Sequence, residues 1–274
     1  DGYILSLYHV ECIHFIVYSF FYYFQFCQNI TMADSEGILY IVPTPVGNLG
    51  DITLRSLETL KMVDIIFAED TRTTGNLLKK YEISTQLRPY HAFNEHKEVE
   101  AITHLLLEGK QIALVSDAGT PGISDPGYLL IHNIVQKKLR ITCLPGATAF
   151  VPALVMSGLP TDKFFFEGFL PHKKGRQTRL KYIVELPCTT IIYESPFRLL
   201  KCVEELIEYA SENRIACIVR EVSKIYEQAV TAPLSELYEA VTSGQIPAKG
   251  EIVILLDGKP IEKKTKKACS NAKL

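Results

Sequence analysis

From Gly37 onward the chain repeats one device: a short apolar run, a turn rich in Gly, Pro or Asp, then an amphipathic stretch. Short buried runs alternating with one-sided helices restrict the fold to α/β layers, strands feeding crossover helices. The first half offers strands at Ile38–Val42, Asp64–Ala68, Leu87–Tyr90, Ile112–Val115 and Arg140–Leu144, with helices at Leu54–Met62, Thr73–Tyr81, Lys97–Glu108, Tyr128–Gln136 and Ala147–Ser157. A mostly parallel sheet is expected there. Turn formers cluster at Gly158-Leu159-Pro160-Thr161-Asp162 and mark a domain boundary. Beyond them a second α/β unit with a mixed sheet is expected, its strands at Lys163–Phe169, Thr189–Tyr193, Ile215–Arg220, Glu227–Val230 and Glu251–Leu256. Its helices fall at Arg176–Leu186, Phe197–Tyr209 and Leu234–Thr242; Leu199, Val203, Leu206 and Ala210 form a core-facing stripe on the middle one. The division is 37–157 for the first domain and 158–258 for the second.

At 274 residues the chain can bury two cores, and its net charge of -2 excludes a generally basic nucleic-acid coat. Any RNA contact must come from a local patch. One exists at 172–181, HKKGRQTRLK, with five Lys or Arg and no acid; the Lys-rich 259–274 reads as a disordered tail. Seven scattered cysteines without a CxxC pair indicate neither a zinc site nor a disulfide framework, and no metal is expected. The absence of GxxxxGK[ST] and HExxH removes P-loop and zincin chemistry.

Residues 1–36 differ from the rest. The first 31 contain no Lys or Arg, and Cys12 to Met32 carries no formal charge over roughly a bilayer-spanning length. Interrupting polar residues and the missing positive flank argue against a membrane segment or signal peptide. The preferred expectation is a translated extension upstream of a start at Met32, with a membrane anchor as the alternative.

Ligands of open parallel sheets bind outside the carboxyl ends of strands. The segments there are PTPVGNLGD (43–51), EDTR (69–72), HAFNEH (91–96), SDAGTPGISDPG (116–127) and PGATAF (145–150). The first is no GxGxxG, and its prolines lack N–H donors for a pyrophosphate. Asp117 offers an anionic acceptor for a ribose hydroxyl or a cationic group. A ligand with ribose, adenine and positive charge but no phosphate suits this lining, as S-adenosylmethionine does.

The motifs IVPTPVGNLGDITLRS, IIFAEDTR, LVSDAGTPGISDPG, LPGATA, IYESPFR, VREVSKIYEQ and KGEIVILL together resemble the tetrapyrrole (corrin/porphyrin) methylase superfamily, over about Gly37 to Gly258. Within it they are similar to the branch that methylates the 2'-hydroxyl of a cytidine in the decoding region of 16S ribosomal RNA. The resemblance implies a homodimeric, cytoplasmic, S-adenosylmethionine-dependent enzyme with its cofactor between two α/β domains. By motif position it assigns the cofactor to Pro45, Val46, Gly47, Ser116, Asp117, Gly119, Thr148, Ala149, Tyr193, Glu194 and Gly250. Tetrapyrrole-acting relatives carry a Gly-rich first loop and GDP behind the fourth strand; PTPVGN and SDAG depart from both. The alternatives are a small-molecule tetrapyrrole methylase and a non-catalytic ribosome-assembly protein that binds RNA.

Methyl transfer from a sulfonium depends mainly on orientation, with a base helping a weakly nucleophilic ribose hydroxyl. Asp70 and Glu69 are candidate bases, Arg72 could hold a phosphate, and Lys224 or Arg220 could stabilise an alkoxide. Asp70 and Arg72 also fit a helix cap with an ion pair. Glu221 and Glu251 suggest a structural pairing. For the RNA, Lys173, Lys174, Arg176 and Arg179 are expected to follow phosphates, with the assembled small subunit as substrate. The second turn, Ser124 to Gly127, is expected to cap the following helix.

Overall fold

A computed structural model describes residues 37–91 and 95–260. The N-terminal segment, with its anchor and extension readings, and the tail past Pro260 lie outside the described residues. No helix among the described residues is long and apolar enough to cross a membrane.

By contacts the chain divides into two units. The first comprises 37–43 and Thr53–Pro145. Its strands β1 (Ile38–Ile41), β2 (Ile65–Ala68), β3 (Gln86–Pro89), β4 (Gln111–Val115) and β5 (Arg140–Cys143) lie in the order β3-β2-β4-β1-β5. Every pairing is parallel. Helices α1 (Leu54–Met62), α2 (Thr71–Lys80), α3 (Glu95–Leu107) and α4 (Tyr128–Gln136) connect them. The central strand explains its own sequence: Ile112 and Leu114 join one buried cluster with α3 and α4 residues such as Ile102 and Leu130. Ala113 and Val115 join another with Leu60 and Leu78. A strand covered on both faces must be apolar throughout, so it reads as a run and not as an alternation.

The second unit comprises Thr44–Ile52 and 146–260. It contains α5 (Phe150–Ser157), β6 (Phe164–Phe169), α6 (Arg176–Ile183), β7 (Thr189–Glu194), α7 (Leu199–Ala210), β8 (Ile215–Arg220), β9 (Gln228–Pro233), α8 (Leu234–Thr242) and β10 (Ile252–Leu256). The strand order is β6-β7-β10-β8-β9, with β6 parallel to β7 and the other pairs antiparallel. Ile192, Ile218 and Ile254 face α6, α7 and α8. The opposite face, Ile191, Cys217, Val219, Val253 and Leu255, is covered by Ala153 and Leu154 of α5 and by Val46. The contact division therefore falls at Pro145, ahead of the Gly158 turn, because α5 packs its buried side on the second sheet. On α7 the buried stripe is Leu199, Cys202, Val203 and Leu206, with Ala210 only partly covered.

Candidate active site

In the first unit β2 and β4 pair in register, Ala68 opposite Val115, so Glu69 and Ser116 leave the sheet side by side. The two loops bind one another. Asp117 Oδ1 accepts from the Asp70 amide at 3.1 Å, and the Asp117 amide donates to the Glu69 carboxylate. Ser116 is buried and donates to the Gly119 carbonyl at 3.2 Å. Asp70 caps α2, accepting from the Arg72 amide at 2.8 Å, and its other oxygen takes the Arg72 guanidinium at 2.7 Å.

These carboxyls differ sharply in proton affinity. The Arg72 guanidinium, aided by the amide it caps, holds Asp70 down at about 2. Burial, reinforced by the charges of Asp117 and Asp70, raises Glu69. Burial also raises Asp117, with Asp70 adding and Arg72 opposing. Asp125 is pushed up to about 7 by burial and by the charges of Glu69 and Asp117, against a hydrogen bond from Ser116. A general base works best when its pKa lies near the working pH, so that it is largely ionised and still basic enough to accept a proton. Asp70 is a cap and a poor base; Asp125 is better matched, and Glu69 is shifted in the same direction.

The expectation for the second turn is corrected here. Helix α4 is preceded by Gly127 at φ 141°, and no side chain caps it. Asp125 turns toward the Glu69, Ser116 and Asp117 group instead. The doubled SD of SDAG and SDPG was its only signal in the sequence.

In the second unit the strand-end loop Thr44–Ile52 is anchored by Val46, which is 7% exposed among Ala153, Val219 and Val253. Pro45 is half-buried, and Gly47 lies on the stem of Lys224, whose Cγ would stand 2.3 Å from any Cβ at that position. Gly250 has φ +79°, and a Cβ there would meet the Glu221 carboxylate at 2.2 Å. Glycine is required at Gly250 on both counts. Thr148 and Ala149 lie half-buried at the start of α5. Tyr193 stacks edge-on against Phe166 and Phe169, with centroids 5.2 and 5.6 Å away.

Lys224 Nζ sits 3.1 Å from Glu221 and 3.2 Å from Glu251. Burial works against its charge, but these carboxylates outweigh it and hold the ammonium above its ordinary range. Glu221 and Glu251 thus form the expected structural pairing, and Lys224 is already neutralised. Glu194 is 2% exposed, with both oxygens committed: Arg198 Nε at 2.7 Å and the Ser195 amide at 2.8 Å on one, Arg176 at 3.3 Å on the other. Arg176 departs from the expected phosphate contact. It is 5% exposed and also binds Glu205 at 2.7 Å, because a buried guanidinium needs carboxylates around it. Arg179 is paired to Glu167 and lies over the Tyr182 ring, 4.9 Å from its centroid. Lys173 and Lys174 are exposed. Among the described residues no group of His, Cys, Asp and Glu is arranged to hold a metal.

An all-parallel sheet and a mixed sheet, each with chemistry-bearing loops at its strand ends, define a two-unit α/β methylase fold. A diphthine synthase structure shares it at TM-score 0.64 and 13% identity, covering 82% of this chain and 91% of that one. A uroporphyrin-III C-methyltransferase from Thermus thermophilus, complexed with S-adenosyl homocysteine, does so at TM-score 0.56 and 18% identity, covering 81% and 97%. The chain belongs to the tetrapyrrole (corrin/porphyrin) methylase family, whose model matches residues 38–238. Among its relatives is a ribosomal RNA small subunit methyltransferase I from Escherichia coli O157:H7, 46% identical over 232 residues, 84% of this chain and 81% of that protein. The protein of the same name from Synechocystis sp. is 44% identical over 223 residues, covering 81% and 79%.

Proposed function

We propose that this chain is an S-adenosylmethionine-dependent methyltransferase that modifies small-subunit ribosomal RNA, at the 2'-hydroxyl of a cytidine. The observation that carries the cofactor is the acid-lined edge of the first sheet, where Glu69, Asp117 and Asp125 face one another with Arg72 the nearby cation. Burial, only partly offset by the hydrogen bonds and by Arg72, raises the proton affinity of all three, and a ligand bearing positive charge would relieve it. S-adenosylmethionine, when bound, supplies a methyl group made electrophilic by a sulfonium. The protein's part is to bind and orient. Asp117, fixed by the Asp70 amide, takes ribose hydroxyls or the cationic group, and Ser116 and Gly119 shape the turn that presents it. Asp125 is able to take up a proton near neutral pH, Glu69 is raised in the same direction by burial, and Asp70 is held the other way. Such a base contributes about 10² to 10⁴-fold.

The RNA substrate is supported by relatives at 42–46% identity that carry the small-subunit name. The cytidine 2'-hydroxyl follows the motif resemblance, and the PTPVGN and SDAG loops point away from a tetrapyrrole substrate. A homodimer working in the cytoplasm completes the reading. Its test is label transfer from S-adenosylmethionine to small subunits from cells lacking this protein, with the modified nucleotide mapped and uroporphyrin assayed in parallel. Label on one cytidine ribose supports the proposal; label on the tetrapyrrole alone, or on neither, defeats it.

A further inference from the structure

The carboxyl ends of β6, β7 and β8 and the start of β10 lie along one edge of the second sheet, since Phe169 pairs with Tyr193, and Ile252 pairs with both Glu194 and Arg220. Three features meet at the β6 and β7 part of that edge. A cavity of about 310 Å³ is lined by His172, Lys173, Arg176, Lys201 and Glu205. Glu205 is taken up by Arg176, so the positive charge of Lys173 and Lys201 is left over; neither lysine forms an ion pair with a described residue. Beside the cavity, the Ser195-Pro196-Phe197-Arg198 turn is pinned by the Arg198 amide on Ser195 O at 2.9 Å and by the Arg198 guanidinium on buried Glu194. The same guanidinium reaches His172 Nε2 at 2.8 Å, joining turn to cavity. On this pinned turn Phe197 is 96% exposed.

Each feature alone is ordinary surface. Together they are a cationic cavity and a bare aromatic ring, fastened to each other through one buried carboxylate. Folding does not account for the ring, since Phe197 covers nothing. A solvated phosphodiester is matched by Lys173 and Lys201, and an unstacked base by an exposed aromatic face; single-stranded RNA carries both at adjacent positions. A protein surface would want acidic groups opposite the lysines but would leave the ring's role open. The geometry points to a subsite for single-stranded RNA in which the cavity takes a backbone phosphate and Phe197 stacks on the neighbouring base. The inference rests on the reading of this chain as an RNA methyltransferase, and it adds Lys201 and Phe197, which the basic run at 172–181 does not contain.

The test uses the full chain and a short labelled oligo(U), followed by fluorescence anisotropy across a salt series. The K173A/K201A double variant should flatten the log–log salt dependence by about 0.7, the loss of one phosphate contact on a single strand. Phe197→Ala should weaken binding roughly 5- to 150-fold at unchanged salt slope, and Phe197→Trp should restore it. All of these positions are exposed, so unchanged melting temperatures certify folding. Wild-type oligo(U) affinity in both alanine variants overturns the subsite. So does a Phe197→Ala protein that keeps its RNA affinity and changes its sedimenting mass, which would give the ring to a second copy of the chain. Label transfer to small subunits, run on the same proteins, separates the two proposals. If wild type and variants label subunits with equal kcat/KM, the subsite falls and the methyltransferase reading stands. If wild type labels none, the methyltransferase reading falls, and oligo(U) binding still decides the subsite.

Discussion

The two sheet edges that carry chemistry are built on opposite electrostatic plans. At the edge of the first sheet Glu69, Asp117 and Asp125 crowd like charges together, and burial lifts all three proton affinities. At the edge of the second, buried Glu194 is enclosed by Arg176 and Arg198, and Glu205 completes the set. The first edge is held in tension that a cationic ligand would relieve. The second is neutralised inside and presents its surplus charge, Lys173 and Lys201, at the surface. A site meant to receive a small cation and one meant to stand rigid beneath a polyanion should differ in this way.

The sharpest way to break the contrast is Glu194→Gln. Removing the shared carboxylate leaves two guanidiniums short of a partner in a buried place, at about 3 kcal/mol. Urea unfolding should report that loss, and a change under about 1 kcal/mol would mean that Glu205 alone neutralises the network. Next in size is Asp117→Ala. Loss of a charged acceptor should weaken S-adenosylmethionine binding by about 1.5–3 kcal/mol in calorimetry, while folding is retained. Equal weakening by Asp125→Ala would show that the ligand reads the charge of the whole group rather than the fixed Asp117 oxygen.

The tension at the first edge also has a pH signature. Asp125 ionises at about 7 in the fold and near 3.9 in an unfolded chain. Between those values the folded state holds the extra proton, so this group's contribution to stability falls as pH rises and levels off above about 7. Asp125→Asn removes the penalty. It should melt a few degrees higher than wild type at about pH 8, with the gain shrinking to nothing near pH 4. A gain independent of pH would dissociate Asp125 from the cluster. Ligand binding should run the other way: a cation favours the ionised carboxyls, so affinity should climb from about pH 6 to pH 8.

Much of the fold was legible in the sequence because its signals are local. Helices α1, α4 and α8 and strand β8 fall where periodicity puts them, and the run Ile112–Val115 announces a strand buried on both faces. What was hidden depends on partners distant in the chain. Arg176 looks like part of a basic surface in HKKGRQTRLK, and only Glu194 and Glu205, far along the sequence, draw it inside. The loop after β1 reads as part of the first domain, yet Val46 finds its apolar neighbours on the second sheet. Asp125 looks like a turn former, and its charge becomes informative only when the β2 and β4 ends bring Glu69 and Asp117 beside it.

The smallest expected effect is the one that assigns Arg72. Its side chain is 88% exposed in its pair with Asp70, so Arg72→Ala should leave the melting temperature within measurement error, as exposed pairs do. Its influence is electrostatic. Arg72 holds Asp70 at about 2 and opposes the rise in Asp117. Without it both carboxyls bind protons more readily, and the pH dependence of S-adenosylmethionine binding should move toward higher pH. A phosphate-holding Arg72 behaves differently: its loss would raise KM for small subunits and leave the pH profile of cofactor binding where it was. The two outcomes are exclusive in their first readout. A shifted cofactor profile makes Arg72 part of the anionic edge, setting how much of its tension remains for the ligand to relieve.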